Sequence, residues 1–181
     1  MDDPEILVFD TGPLMHFARS GWLGPLRHVI APRTAQVPDI VTLELEVAAA
    51  RDIRVRPVLD LEWLSSRELS SDDELLAFAE FAACLVRGER NRGEAGVLAL
   101  ATTTGGTAVL DDGAARKIAG VKGIPFTGTL GLLCESIRQG FLTWRAASAL
   151  ADDLLSSDYR LPFHRGEFEK WARENDPSLD S

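Results

Sequence analysis

The sequence predicts one α/β domain, a central parallel β-sheet flanked by helices, with a helical extension at the C-terminal end. Three observations predict it. Short runs such as Ile6 to Phe9 and Thr107 to Leu110 read as strands buried on both faces, as in parallel sheets. These runs alternate with amphipathic helical patterns, the arrangement that covers both faces of such a sheet. The 181 residues are 45% hydrophobic and 26% charged, which suits one domain, and they contain no repeat or long linker.

The first strand ends at Asp10, where Gly12-Pro13 breaks it. Pro13 opens a helix at its first turn, and Leu14, Phe17 and Ala18 recur at helical spacing toward Gly21. A short helix follows from Leu23 to Ile30, then a strand from Ala35 to Val37 and a helix from Pro38-Asp39 to Ala50. Arg51 to Asp60 reads as irregular, and a further strand falls within Leu61 to Leu69. Ser71 and Glu74 have capping-box spacing, which starts a helix that runs to Arg87. Gly93 to Thr103 is helical, and a strand from Thr107 to Leu110 follows the Gly105-Gly106 break. Next come a helix from Asp112 to Ala119, a strand from Ile124 to Thr127, and helices from Thr129 to Gln139 and Thr143 to Leu155. Residues 1–158 form the expected domain, and 159–181 a polar tail with a helical patch near Phe168 and Trp171.

A net charge of -9 argues against a protein that coats nucleic acid through its overall field, but leaves room for a nucleic-acid enzyme with local basic groups. No apolar run approaches the ~20 residues of a membrane span, and Met1-Asp2-Asp3 lacks the basic start of a secretory signal, so a cytoplasmic protein is expected. Cys84 and Cys134 have no paired spacing and are expected to be reduced thiols.

The informative residues are acids. Asp10 and the pair Asp111-Asp112 close apolar strands, and in open α/β sheets ligands bind beyond the carboxyl ends of strands. Ile40 and Val41 precede Glu44 by four and three residues, and Val47 and Ala48 follow it by three and four, which places Glu44 near the middle of an apolar helix face. Glu46 projects away from that face. Glu94 leads Val97, Leu98 and Ala101 on an inward face and also suits a helix start. Each has an ordinary structural alternative: a turn or cap for the aspartates, an arginine ion pair for Glu44, a helix-start charge for Glu94. Together they point to one site, because clustered carboxylates repel one another unless a hard cation such as Mg²⁺ or Mn²⁺ neutralises them. One of Asp111 and Asp112 would bind the ion while the other caps the helix, and the sequence leaves the assignment open. Asp72, Asp73 and Glu74 belong to the capping box, Asp2, Asp3, Asp152 and Asp153 read as terminal or solvated, and His16, His28 and His164 lack metal spacing or a Ser or Cys partner.

Four segments in this order, Asp10-Thr11-Gly12-Pro13-Leu14, Gly93-Glu94-Ala95, Asp111-Asp112-Gly113-Ala114-Ala115-Arg116 and Gly128-Thr129-Leu130-Gly131, resemble the PIN-domain ribonucleases. These include VapC-type toxins, and the nearest likeness is to a PIN-like branch once catalogued as a domain of unknown function. The resemblance runs from Ile6 to Leu155. It implies an acidic Mg²⁺ or Mn²⁺ site at Asp10, Glu44, Glu94 and Asp111, with Asp112 as a further or substitute ligand. Gly12 stands where the branch usually has Ser, and Ile137 where a Lys is expected.

The expected function is therefore metal-dependent hydrolysis of RNA phosphodiester bonds, with an activated water attacking in line and no side-chain nucleophile. The resemblance further implies a toxin with a small antitoxin partner, and a homodimer. Arg51, Arg54 and Arg56, then Arg87, Arg90 and Arg92, then Arg116 and Lys117 lie near the acidic stations and are candidate phosphate contacts. Trp144, Phe168 and Trp171 either meet a partner or pack the C-terminal helices on their own domain. The main alternative is a catalytically weak PIN-like RNA-binding or regulatory module. A haloacid-dehalogenase-like phosphatase would need a second Asp where Gly12 stands.

Overall fold

The computed structural model describes residues 5–88, 90–156 and 159–180. β1 (Ile6–Phe9) lies at the centre of a five-stranded parallel sheet. Leu7, Val8 and Phe9 are fully buried, which accounts for a strand with no polar alternation. β2 (Thr34–Pro38), β3 (Leu64–Arg67), β4 (Thr107–Val109) and β5 (Phe126–Thr127) complete the order β3-β2-β1-β4-β5. Leu7 is in register with Ala35 on one side and Thr107 on the other. The chain thus builds outward from β1 in one direction, then returns to β1 and builds in the other. The carboxyl ends of β1 and β4 flank the crevice at this reversal, the usual ligand position in open α/β sheets.

Nine helices are described: α1 (Thr11–Arg19), α2 (Leu23–Ile30), α3 (Asp39–Arg51), α4 (Asp72–Leu85), α5 (Arg92–Thr104), α6 (Gly113–Lys122), α7 (Thr129–Arg138), α8 (Trp144–Ser156) and α9 (Phe168–Asn175). α5 packs on β1, β2 and β4 and against α3 and α4, and all seven residues from Ala95 to Ala101 are buried. A helix apolar on all sides is one enclosed on all sides. The capping box of α4 forms: the Ser71 hydroxyl accepts from Glu74 N, and the Glu74 carboxylate accepts from Ser71 N.

Several expectations are corrected. Arg51 to Asp60 is not wholly irregular, since Arg56–Asp60 forms a 3-10 turn that buries Val58. The buried side of α3 is carried by Val41 and Leu45, whereas Leu43 and Val47 are 59% and 52% exposed, so Glu44 lies at the edge of the apolar face. Periodicity identified apolar positions but not which of them the domain covers. Asp152 and Asp153 are half-buried and bonded: Asp153 accepts from Trp22 Nε1 at 2.9 Å and Asp152 from Gly166 N at 2.8 Å. The tail is more than a weak patch. α9 buries Phe168 and Ala172, and the Phe163, Phe168 and Trp171 rings lie 5.4–6.3 Å apart by centroid. Trp144 lies beneath the Arg173 guanidinium at 4.3 Å, so these aromatics pack within the domain. Among the described residues no helix is long and apolar enough to cross a membrane.

Candidate active site

Asp10 leaves the end of β1 as the N-cap of α1, and its main-chain N–H donates to Val109 O, which ties it to β4. Its side chain is buried. Oδ2 accepts a long bond from Gly12 N at 3.5 Å, while among the described residues Oδ1 has no hydrogen-bond partner. A buried, unpartnered carboxylate oxygen is costly unless a cation or proton meets it. Burial pushes the Asp10 pKa well above the ordinary carboxylate value, and the charges of Glu94 and Glu44 push it further.

Glu44 reaches the same place from α3. Oε2 accepts from the Thr11 hydroxyl at 2.5 Å, and Oε1 accepts from Gly93 N at 3.1 Å. A Cβ on residue 93 would stand 2.6 Å from Glu44 Oε2, so the Gly93-Glu94-Ala95 segment needs glycine to admit the Glu44 carboxylate. At residue 12 the nearest atom to a Cβ is Asp10 Oδ2 at 3.7 Å, an ordinary contact, so the absent Ser reflects no steric bar. Glu94 stands in the first turn of α5. Burial raises its pKa, and the charges of Glu44 and Asp112 raise it further.

The paired aspartates part ways. Asp112 caps α6, with Oδ1 accepting from Ala115 N at 2.8 Å, and its charge acts on Glu94. Asp111 turns toward α7, where Oδ1 accepts from Thr129 N at 2.8 Å and Oδ2 from the Thr129 hydroxyl at 2.6 Å. A Cβ on residue 128 would lie 2.7 Å from Asp111 Oδ1, so this approach also needs glycine. Tyr159 stands beside Asp111, and burial together with the Asp111 charge holds the phenol pKa far above its usual value. Tyr159 stacks on His16 with ring centroids 3.9 Å apart. Asp10, Glu44, Glu94 and Asp112 thus form one electrostatically coupled group, and Asp111 faces the C-terminal segment beside it.

The donor set is hard carboxylate oxygen, the unpartnered Asp10 Oδ1 is buried among it, and neighbouring carboxylates raise the pKa of Asp10 and of Glu94. These features fit a divalent cation. Among the described residues no three are gathered closely enough to chelate an ion directly.

Comparison with known proteins gives the family. A family model described as a PIN domain matches residues 6–165. The chain belongs to the PIN-domain family. PIN domains are generally nucleases. This PIN domain also resembles a chain in the crystal structure of VapBC2 from Rickettsia felis bound to a DNA fragment from their promoter, with a TM-score of 0.53 and 15% identity over 68% of this chain and 98% of that one. At that identity the likeness speaks to the fold. No curated protein matches the chain.

Three side chains that shape the site were not singled out from the sequence. Thr11 and Thr129 lie inside the quoted PIN segments beside Asp10 and after Gly128, so a bonding role was within reach of the pattern. Tyr159 lies in an irregular stretch, and only tertiary packing brings it to Asp111. Of the arginine groups, Arg54 is bound to Asp52 at 2.9 Å, while Arg51 and Arg92 border a surface trough near Glu44.

Proposed function

We propose that this PIN domain is a magnesium- or manganese-dependent endoribonuclease that acts as the toxin of a toxin–antitoxin pair. The observation that carries the reading is the buried, unpartnered Asp10 oxygen beside carboxylates whose charges raise the pKa of Asp10 and Glu94. A bound divalent ion supplies charge neutralisation at the scissile phosphate and lowers the pKa of water. Asp10 and Glu94, whose raised pKa values mark where negative charge is least compensated, would hold the ion. Glu44 is aimed by Thr11 and Gly93, and Asp112 adds negative charge from the first turn of α6. Asp111, Asp112's neighbour, keeps the loop after β4 in place through Thr129. In-line attack by water needs no side-chain nucleophile.

The partner reading is supported by the fold likeness to a VapBC2 chain and by a trough between α3 and α4. Leu43, Val47, Leu75 and Phe78 line it, and Glu44 and Arg92 stand at its edge. Exposed apolar side chains grouped beside an active site suit an amphipathic antitoxin segment, which would close the site as it binds. A homodimer is the assembly the family resemblance implies, and light scattering reads it directly.

The deciding experiment titrates Mg²⁺ and Mn²⁺ against cleavage of single-stranded RNA by wild type, Asp10→Asn and Glu44→Gln. Metal-stimulated cleavage is expected to fall by about three orders of magnitude in both variants, because the ion and its ligands supply several kcal/mol of transition-state stabilisation. Equal activity in the three proteins would leave a binding module as the better reading.

A further inference from the structure

Asp111 also lines a cavity of about 610 Å³ between α7, the end of β5 and the C-terminal segment, on the side of the acidic centre away from the apolar trough. Its lining differs in kind from the trough. Phe126, 36% exposed, carries the Arg116 guanidinium over its ring at 5.4 Å; Tyr159 and Trp171 add aromatic surface, and Arg160 a second cation. The acids in the lining are already met. Glu135 accepts two bonds from Arg33 Nη1, at 2.8 and 3.0 Å, and Asp176 accepts from Arg138 at 3.1 Å and from Ser178. Asp111 is held by two bonds from Thr129. Among the described residues Arg116 and Arg160 form no ion pair, so positive charge remains for an incoming anion.

Resting on the ribonuclease reading of the Asp10 centre, we infer that this cavity is a nucleotide subsite, which takes one unstacked base of a single-stranded RNA beside the cleaved phosphate. Aromatic surface with flanking guanidinium groups is how proteins hold single strands: bases stack on rings and phosphates meet arginines. The volume lies in the range of small-molecule sites and admits one nucleotide. A paired base in a duplex is stacked and hydrogen-bonded and does not enter. The shared Asp111 places the bound nucleotide next to the acidic group, so the subsite sets the register in which the chain meets the ion. Against an overall charge of -9, contact with RNA depends on local basic surface of this kind.

The test measures binding of a labelled single-stranded 12-mer RNA by anisotropy, and its cleavage, for wild type, Arg160→Ala, Arg116→Ala and Phe126→Ala. Each variant is expected to bind roughly tenfold more weakly, the scale of one lost stacking surface or phosphate contact. Each arginine variant flattens the dependence of log affinity on log salt by about 0.7. Arg160 is exposed, so its variant folds even where Phe126→Ala does not. RNA carrying 4-thiouridine is expected to crosslink to peptides containing Phe126, Tyr159 or Trp171. Wild-type affinity and slope in both arginine variants, or crosslinks confined to the α3–α4 side, would overturn the subsite while leaving metal-dependent cleavage intact. RNA binding that depends on Arg116 and Arg160 in a protein that cleaves nothing would uphold the subsite and sink the ribonuclease reading. Loss of antitoxin binding with unchanged RNA binding in these variants would assign the cavity to a peptide and overturn it.

Discussion

The two sides of the acidic centre are built from opposite materials. Toward α3 and α4 the surface is apolar and open, with Leu43, Val47 and Leu75 exposed beside Glu44. Toward α7 and the C-terminal segment it is a polar cavity of arginines and aromatics beside Asp111. One side suits a protein chain that buries greasy side chains, the other a charged, planar substrate. The difference teaches that a net charge of -9 says little about any one face. Charge is spent locally, and the site sits on the boundary between two environments.

The largest effect that would break this comparison is on the apolar side. Leu43→Glu is expected to weaken antitoxin binding by at least ~2 kcal/mol, the scale of an interface hot spot, while RNA cleavage changes little. Calorimetric titration of the antitoxin with parallel cleavage rates reads both, and an equal loss of cleavage would mean that the two sides are one surface.

A contrast between Gly93→Ala and Tyr159→Phe sharpens the same division. The added methyl meets Glu44 Oε2 at 2.6 Å and is expected to cost ~1–3 kcal/mol of stability and to swing Glu44 out of place, with a large loss of cleavage. Removing the Tyr159 hydroxyl takes one polar group from beside Asp111, which keeps both bonds from Thr129, so at most about 1 kcal/mol is expected. Thermal unfolding and kcat measured together separate the two, and a larger effect from Tyr159→Phe would shift the centre of the site toward Asp111.

The smallest prediction concerns the shared centre. Asp10 has a folded pKa raised above its unfolded value, so in the ion-free protein it removes stability as pH rises from near 4 through the raised value. Asp10→Asn keeps an N-cap residue and drops the charge. It is expected to raise the ion-free Tm at pH 7 by roughly 2–4 °C, equivalent to about 1 kcal/mol, with little change at pH 4. Added Mg²⁺ should stabilise wild type more than this variant. An ion-free wild type that matches Asp10→Asn at pH 7 would show the Asp10 charge to be well compensated.

Much of the fold was legible because buried strands and capped helices announce themselves locally. The span of α2 was read to the residue, and the strand pattern of β1 and the Ser71 capping box needed no tertiary knowledge. Glu44 is the instructive case, singled out as an apolar-face carboxylate on a helix whose Leu43 and Val47 turned out to be uncovered. Helical phase reports the direction of a side chain, whereas burial depends on which neighbour arrives. For the same reason the turn at Arg56–Asp60, the bonds of Asp152 and Asp153, and the reach of Tyr159 were hidden, since each depends on a segment distant in sequence. Asp111 and Asp112 could not be told apart because adjacent residues share their sequence context. Thr129, arriving from α7 to bond Asp111, and Ala115 N, which Asp112 caps, give them different roles.

Tyr159, in the same cavity wall as Asp111, makes the C-terminal segment part of the surroundings that a trimmed protein would lose. A chain cut after residue 155 would keep Asp10, Glu44, Glu94, Asp111 and Asp112, yet it would lose the phenol beside Asp111, one wall of the arginine-lined cavity, and the Phe163, Phe168 and Trp171 anchor. Shortened versions made for crystallisation or display would therefore carry all five acids and still be altered molecules.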